Sequence, residues 1–181
     1  MQKLIAFFSL AVVAISCNNK AAESSTETTG KADSASTKPA LPYTASYSSS
    51  FEMGNDDFTG TILQGSWKDW ENNTMDNMKS WVADTIVAFH SDNSVIRGAD
   101  SLQARWKRGR AEYTSVLDTI QAVMPVYSKD KKENWVLVWA KEINTKANGT
   151  KDTMYLQETW RINKDGKADM LLQFDRAKRK K

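Results

Sequence analysis

The chain has one cysteine and one histidine in 181 residues. A lone cysteine excludes an intrachain disulfide and a cysteine-based zinc site, and a lone histidine excludes a multi-histidine metal centre. No apolar run approaches the roughly 20 residues that a membrane-spanning helix needs. Proline is scarce, three in all, and two of these, Pro39 and Pro42, sit close together near the N-terminus. Nucleotide and acyl-transfer signatures are also missing. There is no phosphate-binding loop, dinucleotide fingerprint, nucleophile elbow or calcium loop. What the chain does have is aromatic weight, including seven Trp. That rules out a wholly disordered polymer, because disordered chains are poor in groups that can offset ordering entropy.

The N-terminus reads as an address. Lys3 precedes an apolar run from Leu4 to Ile15, the layout of a secretory signal peptide over residues 1–16. Ala14-Ile15-Ser16-Cys17 resembles a bacterial lipobox, which makes Cys17 the lipid attachment point and the membrane a partner through its anchor. Acyl chains contribute about 0.8 kcal/mol per buried CH₂, and several together hold a protein stably. Asn18 follows Cys17 rather than Asp, which by resemblance to enterobacterial sorting points to the outer membrane of a cell envelope. An ordinary signal peptide with a cysteine near its end is the alternative. Residues 17–46 are rich in Ala, Ser, Thr and charge, the composition of a tether. One domain of about 130 residues remains, spanning 47–176, with a basic tail at 177–181.

The formal charge of +3 is unevenly distributed. One of the 25 Lys and Arg lies in the leader, three in the tether and five in the last six residues. Residues 47–175 therefore carry 16 cations against 19 Asp and Glu, a net −3. Nucleic acid is not an expected partner, since polyanion binding needs clustered cations on the domain. The cations Arg105, Lys107, Arg108 and Arg110 read as a solvated helix face, with an anion or glycan contact as the lesser alternative.

Periodicity predicts helices first and long strands afterwards, an α+β chain. Asp56 and Asp57 open a helix with Phe58, Ile62, Leu63, Trp67 and Trp70 at helical spacing, weakened by Gly60 and Gly65. A short helix follows over Thr74–Val82, a strand over Asp84–His90, and a helix capped at Asp100 or Ser101. Four extended stretches close the chain: Ser115–Tyr127, Trp135–Asn144, Thr153–Asn163 and Lys167–Phe174. Asn148-Gly149 and Asp165-Gly166 supply the positive φ angles of tight hairpins, so consecutive antiparallel pairing is expected.

The Trp-rich first helix is followed by Trp81-Val82-Ala83-Asp84-Thr85-Ile86-Val87 running into His90. Arg97-Gly98-Ala99-Asp100-Ser101-Leu102 then opens a helix. Trp135-Val136-Leu137-Val138-Trp139 and Gln157-Glu158-Thr159-Trp160-Arg161-Ile162 precede Asp165-Gly166-Lys167. In this order the chain resembles the nuclear-transport-factor-2-like superfamily, which includes SnoaL-like cyclases, ketosteroid isomerase and scytalone dehydratase. The resemblance implies a cone-shaped, curved antiparallel sheet wrapped around about three N-terminal helices, with an apolar cavity at its open end. It implies nothing definite about chemistry, because such folds host many functions.

Alternation along strands selects the side chains that share a face. Met154, Leu156, Glu158, Trp160 and Ile162 form one row, and Val116, Asp118, Ile120, Ala122 and Met124 another. Glu158 and Asp118 are thus carboxylates on apolar rows, placed to act as general acid or base, to pair with a cation across the sheet, or to lie on a solvent-facing row. His90 ends its strand where ketosteroid isomerase, by the resemblance, carries its catalytic carboxylate. It is either a proton shuttle or a strand-end residue bonded to a loop. The pattern departs from that enzyme, with His90 in place of the acid and Trp67 and Trp70 where it has an oxyanion-binding Tyr. Trp67, Trp135, Trp139, Trp160 and Phe174 are expected either to wall the pocket or to anchor the core.

These features lead to three expectations. The first is a lipid-anchored, non-catalytic protein binding a small apolar or amphipathic ligand, with no cofactor and no metal. The second is a dehydratase, isomerase or cyclase using His90 with Glu158 or Asp118. The third is an interaction module that pairs through its sheet face, forming a homodimer or engaging another envelope protein.

Overall fold

The computed structural model of the protein describes residues 41–176. The leader, Cys17, the first part of the tether and the basic tail at 177–181 lie outside the described residues. The first element is a short strand, β1 (Phe51–Met53). Asn55 then caps α1 (Asp56–Ile62), its side-chain oxygen accepting from the Asp57 N–H. The helical path continues through a π-helical turn (Leu63–Lys68) into α2 (Asp69–Asn72), which ends where Asn73 adopts the left-handed conformation. A 3₁₀ turn (Met75–Asn77) and α3 (Met78–Trp81) form the second helical segment. Strands β2 (Val82–Phe89) and β3 (Val95–Arg97) precede the third, α4 (Ala99–Arg110).

The remaining strands are long: β4 (Tyr113–Ser128), β5 (Glu133–Lys146), β6 (Lys151–Ile162) and β7 (Ala168–Asp175). As expected, they pair consecutively and antiparallel, and Gly149 and Gly166 take positive φ in the turns. The full order is β1-β4-β5-β6-β7-β2-β3. Strand β2 joins β7 in parallel, the one such pairing in the described sheet. Strands of this length twist and coil, so the sheet curves around the helices without closing.

The core lies between helices and concave face. Ile62, Met75, Met78 and Leu102 pack with Val136, Val138, Ile162 and Leu171, all essentially buried. Four tryptophans cross it in sequence as edge-to-face contacts. Trp81 meets Trp160 at 5.5 Å, Trp160 meets Trp106 at 6.1 Å, and Trp106 meets Trp70 at 6.1 Å. Gly65 is required beside this series, because a Cβ there would lie 2.4 Å from the Trp81 indole.

Three expectations about orientation are corrected. Trp135 and Trp139 lie on the outer face, because the row of β5 turned inward is Val136, Val138, Ala140, Glu142 and Asn144. Trp135 is covered there by Tyr47 and by the Arg161 guanidinium, not by a pocket. On β4, Val116, Asp118 and Ile120 face inward, but a bulge between Ile120 and Ala122 shifts the alternation. Ala122 and Met124 are therefore exposed. Arg110 does not belong to a solvated face. It is 6% exposed, and its guanidinium donates to the backbone carbonyls of Trp70, Glu71 and Tyr113. It thereby ties the end of α2 to the start of β4.

Candidate functional site

Between α4, the π-helical turn and strands β5 to β7 the sheet leaves a half-open hollow of about 440 Å³. Trp67, Trp70, Trp106 and Leu156 supply apolar wall, and His90, Glu142, Glu158 and Gln173 supply polar groups. Alternation places Glu158 on the concave face among Leu156, Trp160 and Ile162, and Gln173 is its direct partner on β7. The parallel pairing of β2 with β7 sets Phe89 opposite Leu172. The next residue, His90, therefore comes beside Gln173 although 83 positions separate them.

A hydrogen-bond chain joins these groups. Trp160 Nε1 donates to Glu158 Oε2 at 2.9 Å, and Ser66 Oγ donates to the same oxygen at 3.2 Å. Gln173 Nε2 donates to Glu158 Oε1 at 2.9 Å, while Gln173 Oε1 lies 3.2 Å from His90 Nδ1. Burial holds the Glu158 carboxyl above the usual range, and the three donors oppose that shift. His90 Nε2 has no partner among the described residues. His90 and Glu158 are thus linked through Gln173.

Glu142, which the reading of the sequence missed, is a second buried carboxylate in the same hollow, 5% exposed. Burial raises its pKa, and Asn144, which donates to it, pulls the other way. The Trp70 indole N–H faces it without completing a hydrogen bond. The missed signal was the Val136-Val138-Ala140 row, which carries Glu142 just as the β6 row carries Glu158. Gln173 was missed for a different reason, since an amide on a strand carries no chemical signature.

The remaining candidates are dispersed. Asp118 borders a separate, shallower hollow of about 400 Å³ with Gly60, Lys68 and Glu71, so it does not meet His90. Trp67 borders both hollows. Trp160 is fully buried and anchors the core, touching the site through its bond to Glu158. Phe174 is 56% exposed and lines a small groove beside His90 outside the main hollow. At the mouth, exposed Arg105 pairs with Asp92, whereas exposed Arg108 has no ion-pair partner among the described residues. Among those residues no group of three or more His, Cys, Asp and Glu side chains converges as metal ligands.

No family model matches the sequence, and no curated protein matches it. Solved structures do match the fold. A nuclear-transport-factor-2-like protein of unknown function from Exiguobacterium sp. 255-15 is 15% identical, with a TM-score of 0.54 over 65% of this chain and 99% of its own. A protein from Jannaschia sp. CCS1 described by its resemblance to SnoaL-like polyketide cyclases is 11% identical, with a TM-score of 0.54 over 66% and 83%. A Mycobacterium tuberculosis protein in complex with estradiol-17β-hemisuccinate is 15% identical, with a TM-score of 0.52 over 65% and 92%. At these identities the likeness concerns the fold, and the described domain has the nuclear-transport-factor-2-like fold.

Proposed function

We propose that this protein is a lipid-anchored envelope protein whose domain holds one small amphipathic molecule in the hollow beneath α4 without transforming it. The observation that carries the binding role is the hollow itself. Its volume of about 440 Å³ falls within the usual range for small-molecule sites. Three tryptophan rings stand in its apolar wall, and they suit a flat apolar body. Arg108 at the mouth, without an ion-pair partner among the described residues, suits an anionic end on that body. The structural neighbour described with estradiol-17β-hemisuccinate, a flat apolar frame ending in a carboxylate, supports this class of ligand.

The non-catalytic part of the reading rests on Glu158. Three protein donors, from Ser66, Trp160 and Gln173, hold its carboxylate, which suits a structural member of the pocket wall. The anchor rests on Cys17 and the composition around it. An acid–base enzyme using His90 is the second reading, favoured by the uncommitted Nε2 beside the hollow. Asp118 does not enter that reading because it borders the other hollow.

Native mass spectrometry of the full chain from its own envelope membranes is expected to show a diacyl or triacyl adduct on Cys17 and one small molecule per folded chain. Estradiol-17β-hemisuccinate serves as a probe alongside uncharged estradiol. The charged ester should bind about tenfold more tightly, a preference lost in Arg108→Ala. Binding of neither steroid, together with an empty native protein, would overturn the pocket. Turnover of a retained molecule that stops in His90→Ala would replace the binding role with the enzymatic one.

A further inference from the structure

We propose that Glu158, acting through the side-chain amide of Gln173, sets the tautomer of His90, so that the hollow offers its ligand an imidazole acceptor and not an imidazole N–H. The ligand consequence rests on the reading of the hollow as a binding pocket, whereas the control of the tautomer does not.

The indole N–H of Trp160 can only donate. It donates to Glu158 Oε2, so that oxygen must accept. The other oxygen, Oε1, takes a hydrogen from Gln173 Nε2 at 2.9 Å. With its NH₂ committed to Glu158, the Gln173 amide turns its carbonyl toward His90 Nδ1 at 3.2 Å. A carbonyl oxygen can only accept, so Nδ1 carries the proton. In the neutral ring Nε2 is then the lone-pair nitrogen. It is covered and has no partner among the described residues, and the ring itself lines the hollow. A small turn of the imidazole, of the kind side chains commonly make on binding, brings Nε2 to a ligand. That nitrogen accepts from a hydroxyl, phenol or enol and gives nothing to an ether or ketone oxygen. Glu158 is therefore a positioning residue, and the pocket selects a molecule with a hydrogen-bond donor on its inner end.

Because the chain has a single histidine, its imidazole ¹⁵N signals need no assignment between sites. Spectra of the full chain above the imidazole titration should show a protonated Nδ1 and a bare Nε2. In Glu158→Gln the carbonyl of the introduced amide must meet the Trp160 N–H, so its NH₂ faces Gln173. The Gln173 amide then turns over, presents its own NH₂ to Nδ1, and moves the ring proton to Nε2. A merely structural role for Glu158 predicts no change of tautomer in the folded variant, and that result overturns the proposal. Should Glu158→Gln not fold, the wild type and Gln173→Leu decide. A predominant Nε2–H in wild type overturns the proposal, as does a Gln173→Leu spectrum identical to wild type. For the ligand, 2-naphthol should bind about tenfold more tightly than 2-methoxynaphthalene, with the preference lost in Gln173→Leu. Equal affinities overturn the choice of ligand class. If neither compound binds while the tautomer is as assigned, the pocket reading fails and the positioning role of Glu158 stands.

Discussion

Asp118 and Glu142 stand opposite one another as register partners in the β4–β5 ladder, two inward-facing carboxylates in one cross-strand pair. Like charges so placed repel. Asp118 is pushed up to about 8, first by burial and then by the charges of Glu142, Glu71 and Glu158, with Arg110 opposing. Neither of its oxygens has a hydrogen-bond partner among the described residues.

That arrangement fixes the sign of a pH effect. In the unfolded chain Asp118 loses its proton near pH 4, but in the folded chain it does so only near 8. Between those values the folded state binds more protons, so its stability falls as pH rises through the window. Asp118→Asn should remove this share of the slope and stabilise the domain at pH 8 by about 1 kcal/mol, a figure discounted for solvent screening. Urea titrations at pH 5 and pH 8 measure it. A variant with the full wild-type slope would count against the assignment to Asp118.

The second prediction concerns the approach of the first helical segment to the core. A Cβ on Gly65 meets Trp81, which is itself held edge-to-face against Trp160. Helix propensity alone favours Ala over Gly by about 1 kcal/mol. Overpacking of this kind costs about 1–3 kcal/mol and should win. Gly65→Ala is expected to lower stability by chemical denaturation. A stabilised variant would mean that the turn between Leu63 and Lys68 relaxes freely.

The third prediction separates the two faces of the sheet. Met154 lines the main hollow on β6, whereas Trp135 is on the outer face. Met154→Trp should fill the hollow and reduce binding of estradiol-17β-hemisuccinate by at least about tenfold, within about 1–3 kcal/mol of wild-type stability. Trp135→Phe should leave binding within about twofold while weakening the contacts of Tyr47 and Arg161. Titration calorimetry on both variants tests this, and the reverse pattern would place the ligand on the outer face.

Much of the architecture was legible because hydrophobic alternation and turn chemistry act locally. The Asn148-Gly149 and Asp165-Gly166 hairpins mark their own positions, and the β6 row from Met154 to Ile162 runs without interruption. Legibility failed where two readings satisfied the same pattern. Both rows of β5 are apolar, Trp135-Leu137-Trp139 on one side and Val136-Val138-Ala140 on the other, so period alone does not say which turns inward. On β4 the rule held up to Ile120 and was broken by one extra residue in the bulge.

By itself the sequence determined the α+β order, the consecutive pairing of the four long strands and the presence of Glu158 on an apolar row. Each follows from side-chain period and backbone preference within a dozen residues. The tertiary structure decided which face of each strand is concave, that Arg110 is buried, and that His90, Gln173 and Glu158 meet. Those depend on sheet curvature and on the parallel seam between β2 and β7, where residues more than 80 positions apart become neighbours. No local pattern encodes such a meeting, because it is fixed by how the whole sheet packs over its helices.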